Sequence, residues 1–139
     1  MISIADSRFY PEVIKEFNYE FGKVFVFDQF VVSEINQGVD FEYNQAQSII
    51  ADIIGFFGET KGLSINYVSN RIHSYSVMAS DWIRFFKDGY LLNSYIVVSD
   101  KKRFCNLAIE KLFFKHSIKQ FSELEAAINF VKKDMIKIN

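Results

Sequence analysis

One cysteine, one proline and two histidines in 139 residues are scarcities that each remove an option. A lone cysteine cannot form an internal disulfide and suits a reducing compartment, so the expected location is cytoplasmic. Two histidines beside one cysteine are too few for a zinc set, and no His-Glu-x-x-His spacing occurs, so no metal and no cofactor are expected. With one proline and six glycines there is no Pro/Gly/Ser-rich linker, and no internal repeat. The chain therefore reads as a single domain over 1–139, with 1–12 as an N-terminal extension and 134–139 as a C-terminal tail.

An excess of charge of either sign is missing too: sixteen Lys and Arg stand against seventeen Asp and Glu. No whole-molecule field draws the chain to nucleic acid or to an anionic surface. No stretch reaches the ~18 apolar residues of a membrane span, and the N-terminus lacks a basic region followed by a long apolar run. What abounds is apolar: half the residues are hydrophobic, sixteen of them Phe. That load tempts a reading as a ligand pocket, but Phe, Ile, Lys and Asn share A/T-rich codons, so composition does not decide it.

Periodicity supplies the architecture. Val13 to Glu20 reads as a strand, Gly22 as a reversal, and Lys23 to Ile35 as a second strand with a bulge near Asp28. Ala46, Ile49, Ile50, Ile53, Ile54 and Phe57 follow helical spacing without a miss, and Gly58 and Gly62 bracket the exit. Leu63 to Val68 and Tyr95 to Val98 are short apolar strands of the kind buried on both faces. Between them a short helix is capped by Ser80 or Asp81 and ends before Gly89, with Trp82, Phe85 and Phe86 on one side. Lys101 to Phe114 reads as a helix whose apolar stripe is Phe104, Cys105, Ala108, Ile109, Leu112 and Phe113, which makes Cys105 core filler. Ser117 to Phe121 is an edge strand. Ser122 with Glu125 spells a capping box for the last helix, buried through Leu124, Ala127, Ile128 and Val131. The alternation predicts an α/β fold, β-β-α-β-α-β-α-β-α, with a mixed, mostly parallel sheet of about five strands covered by helices.

Three runs carry a family resemblance: Tyr95-Ile96-Val97-Val98-Ser99-Asp100, then Leu107-Ala108-Ile109-Glu110-Lys111-Leu112, then Phe121 through Val131. They resemble the C-terminal half of the SpoIIAA-like group of STAS/SEC14-type domains, and the element order from about Glu20 to Lys133 agrees. The resemblance implies a bacterial, non-enzymatic regulatory or protein-interaction module of the anti-sigma-factor-antagonist type, with a protein partner. The alternative it implies is a SEC14-like pocket for a lipid or other small apolar ligand. In the antagonists a loop after a central strand carries a phosphorylated Ser among acidic residues. The corresponding run here is Ser69-Asn70-Arg71-Ile72-His73-Ser74-Tyr75-Ser76, which lacks those acids.

That loop is the candidate site, because open α/β sheets bind beyond the carboxyl ends of their strands. A phosphate on Ser74 or Ser76 would stand beside Arg71; the plainer account has Asn70 and the serines turning the chain with Arg71 solvated. Tyr75 is a candidate lid over an apolar pocket walled by Trp82 and Phe85, with Phe86 a further apolar contact. Lys101, Lys102, Arg103, Lys111, Lys115 and Lys119 are locally basic but read as solvated surface. His73 stands among hydroxyls without an orienting acid, so no enzyme is expected. A homodimer through the first hairpin or an aromatic helix is a further expectation.

Overall fold

The computed structural model describes residues 1–58, 65–100 and 107–138, with side chains through 133. Two single 3-10 turns, Ile4–Asp6 and Tyr10–Glu12, precede three antiparallel strands: β1 (Lys15–Tyr19), β2 (Gly22–Val26) and β3 (Phe30–Ile35). The expected second strand is thus two strands. Asp28 and Gln29 form a turn rather than a bulge, closed by the Phe27 amide on the Phe30 carbonyl at 2.9 Å. Gln29 sits at φ 65°, and its carbonyl accepts from the Asn66 amide and side chain. Those bonds hold a conformation that non-glycine residues rarely adopt. At the β1–β2 reversal Gly22 is required by space, since a Cβ there would lie 2.5 Å from the Glu34 carbonyl.

β4 (Asp40–Phe41) leads into α1 (Tyr43–Phe57), capped at its start by a Glu42/Gln45 box and closed by Gly58 at φ 70°. Then come β5 (Asn66–Asn70), β6 (Ser76–Val77), α2 (Asp81–Lys87), β7 (Ser94–Val98), α3 (Leu107–Phe113), β8 (Ile118–Phe121) and α4 (Leu124–Ile138). The fold is a single α/β domain on a mixed sheet of six strands, in the order β1-β2-β3-β5-β7-β8, with β4 and β6 pairing separately. Among the described residues the sheet has six strands, where about five are expected. Two pairings are antiparallel and three, from β3 through β8, are parallel.

Alternation sends β-strand side chains to two covered faces. On one, Val32, Val68, Ile96 and Val98 pack under α4 through Leu124, Ala127, Ile128 and Val131. Ile4 and Phe9, fully buried, join that core, so residues 1–12 are built into the domain. The buried Glu34 carboxylate secures them, accepting from Ser3 Oγ (2.6 Å), the Ile4 amide (2.8 Å) and Asn70 Nδ2 (2.9 Å). On the other face, α1 packs over Val24, Val26 and Val31, while α2 and α3 cover Tyr95 and Val97.

Three local expectations are corrected here. The strand expected to end at Val68 runs on through Ser69 and Asn70. The last helix starts at Leu124, and the Glu125 carboxylate meant for its box instead pairs with Arg8 at 2.7 Å. The α3 stripe is turned outward: Leu107 and Glu110 are buried, whereas Ile109 is 48% and Leu112 79% exposed. The expected turn at Gly62, the early half of the third helix, Phe104 and Cys105, and the basic run Lys101, Lys102 and Arg103 lie outside the described residues. Among the described residues no helix is long and apolar enough to cross a membrane.

Candidate functional site

The outward turn of Leu112 and the inward turn of Glu110 have one cause, a cation in the core. Arg71, one residue past β5, is 7% exposed, and its Nη2 lies 2.6 Å from Glu110 Oε2. Glu110, with no exposed surface, also accepts from Tyr95 Oη (2.7 Å) and Trp82 Nε1 (3.0 Å). Arg71 donates further to Tyr95 Oη (2.8 Å) and, through Nε, to Ser69 Oγ (3.2 Å). Ser69 in turn shares a hydrogen bond with Tyr75 Oη at 2.9 Å, and the Arg71 guanidinium lies 5.7 Å from the Tyr75 ring centroid. A buried charge needs this company, since an uncompensated one is strongly disfavoured.

The electrostatics of the cluster hold charge in place. Burial opposes the Arg71 charge, but Tyr95, Tyr75 and Glu110 outweigh it and keep the guanidinium pKa above its ordinary value. Burial, followed by the Glu110 charge, raises Tyr95 well above a normal phenol. Tyr67, stacked on Tyr95 with ring centroids 5.3 Å apart, is raised as well, first by burial. Its hydroxyl shares a 2.8 Å hydrogen bond with Ser33 Oγ. Neutral phenols around a neutralised ion pair give no poised base or activated nucleophile.

Beside the cluster, between the sheet, α1 and α2, lies a cavity of about 120 Å³. Ala46, Ile49, Ile50 and Ile53 of α1 form its roof, Val31, Ile65 and Tyr67 its floor, and Trp82, Phe85 and Leu92 one side. Tyr67 and Trp82 belong to both: each has its ring in the cavity wall and its polar atom in a hydrogen bond leading away from it. The volume is comparable to the ~150 Å³ apolar cavity that stays dry and takes up benzene.

The expected site residues therefore divide. Ser69, Arg71, Tyr75 and Trp82 are brought together around Glu110, so the account of Arg71 as solvated or open to a phosphate is corrected. Asn70 belongs to the opposite face, bonded to Glu34 and to the Ile2 carbonyl. His73 and Ser74 are exposed, and Ser76 in β6 donates to Asp40. Phe85 lines the cavity; Phe86 is buried against Phe114, outside it. Tyr75 packs against Phe41 and Ser69, and the cavity wall does not include it, so it is no lid.

Glu110, Tyr95, Tyr67 and Ser33 went unrecognised in the sequence. The one available signal was Glu110, an acid within an otherwise basic stretch. Among the described residues no group of three or more His, Cys, Asp and Glu could hold a metal. No family model, no curated protein and no solved structure matches the chain.

Proposed function

We propose that the chain is a non-enzymatic module that binds a small, mainly apolar molecule in the cavity between the sheet, α1 and α2. The observation that carries this reading is the cavity itself. A half-open pocket of this size with an apolar lining leaves those side chains without packing partners on one side, and an exposed apolar recess of this kind marks a binding site. The buried ion pair supports it by fixing Trp82, one wall of the cavity, to α3 through Glu110. Regulation through a protein partner at the β5–β6 loop, as the SpoIIAA-like resemblance implies, has less support. Arg71 is engaged with Glu110, and His73, Ser74 and Ser76 are what the loop leaves exposed.

Replacing Ala46 with Leu fills the void from the roof. Benzene and hexanol should shift the fluorescence of Trp82, the sole tryptophan, in the native chain and leave A46L unaffected. The variant itself should gain about 1 kcal/mol, the usual return of cavity filling. A native chain that responds to neither probe, or an A46L chain that responds equally, rules the reading out.

A further inference from the structure

The cavity leads out past carboxylates. Glu42, at the start of α1, and Asp81, the first residue of α2, line it, and both also line an adjoining cleft with Tyr43, Asn44, Met78 and Arg84. No Lys, Arg or His lines the cavity among the described residues. The remaining polar atoms of its wall are largely committed: Tyr43 Oη donates to Asp88 (2.6 Å), Tyr67 Oη bonds Ser33 and Trp82 Nε1 donates to Glu110, and the Glu42 carboxylate, which already accepts from the Gln45 amide in the α1 capping box, has its other lone pairs left for a ligand. Tyr90 adds one phenol to the wall.

We propose that this cavity selects an amphipathic amine, its apolar body of roughly six to eight carbons under α1 and α2, its ammonium at the Glu42 and Asp81 carboxylates. The inference rests on the small-ligand reading above and gives that ligand a chemical class. A fatty acid entering the same way would bring its carboxylate against two others, with one guanidinium, Arg84, in the cleft to offset them. An alcohol would gain at most neutral hydrogen bonds. An ammonium gains charge-assisted ones, which are the stronger kind. Arg84 in the cleft does not reverse the sign: it is one cation against two anions, and its guanidinium is stacked 4.4 Å from the Tyr43 ring centroid.

Matched probes separate this proposal from the reading beneath it. Hexylamine, hexanol and hexanoate are titrated at neutral pH against Trp82 fluorescence, in the native chain and in the E42Q/D81N double variant. The native chain should bind hexylamine about five- to tenfold tighter than hexanol, the range expected of two partly exposed charge pairs, and hexanoate weakest. In the double variant that advantage should vanish while hexanol affinity stays. Should the double variant not fold, the native chain decides alone, since rising salt must shrink the amine's advantage and leave hexanol unchanged. Hexanol binding as tightly as hexylamine overturns the amine proposal and leaves the cavity reading standing. Binding by none of the three overturns both.

Discussion

At the scale of single residues, Arg71 and Glu110 pose a test that surface charges do not. Each is almost wholly buried, and their attraction offsets desolvation only while both are present. Glu110→Gln leaves a guanidinium in the core beside a neutral amide, and should cost about 3–5 kcal/mol in urea unfolding. Adding Arg71→Gln removes the stranded charge, so the double variant should be less destabilised than the two single changes summed, with a coupling of about 1–3 kcal/mol. Strict additivity would mean that the pair is not the organising contact of this core. Half of the pair was legible. Arg71 stood out in a run of hydroxyls and an imidazole, but Glu110 lies 39 residues away, on a helix whose periodicity assigned it to solvent. Nothing local in a sequence says that an acid will be drawn inward by a cation on another element.

At the scale of elements, that attraction decides how α3 is turned. Leu107, Glu110 and Phe114 are buried, which leaves Ile109 and Leu112 facing outward. The hydrophobic stripe read from spacing alone predicts the opposite sides, because apolar periodicity omits the cost of an unpaired buried charge. Substitution distinguishes the two orientations: Leu112→Lys should move stability by less than about 0.5 kcal/mol, whereas Leu107→Ala should cost about 2–5 kcal/mol. The reverse order in thermal melts would restore the stripe. Elsewhere periodicity suffices, as in α1 and α4, whose buried positions Ile49 and Ile53, and Leu124, Ala127, Ile128 and Val131, obey helical spacing. It fails again at Asp28-Gln29, where a two-residue turn needs a positive φ that no glycine announces and that the Gln29 carbonyl's bonds to Asn66 sustain.

Across the whole molecule, the helix-covered face opposite α4 is held by phenols that must stay protonated. Tyr67 and Tyr95 stack at its centre, Tyr43 joins α1 to Asp88 after α2, and Tyr19 joins β1 to Asp52 of α1. Burial is the leading cause that raises each of the four above the ordinary phenol value of 10.0. The linkage follows from that direction. Below pH 10 both folded and unfolded chains hold these protons, and stability is unaffected. Above it the unfolded chain releases protons that the folded chain keeps, so the unfolded state binds fewer and stability falls as pH rises. For Tyr67 and Tyr95 the slope approaches about 1.4 kcal/mol per pH unit each. The tyrosine contribution to the urea midpoint should therefore be level below the phenol value of 10.0 and fall steeply above it. Tyr67→Phe should lower the plateau, because Ser33 loses its partner, and also flatten the alkaline fall by one phenol's share. A midpoint that stays level well above the reference value would show that these hydroxyls ionise freely in the folded chain, and that the phenol-lined face opposite α4 is open to water.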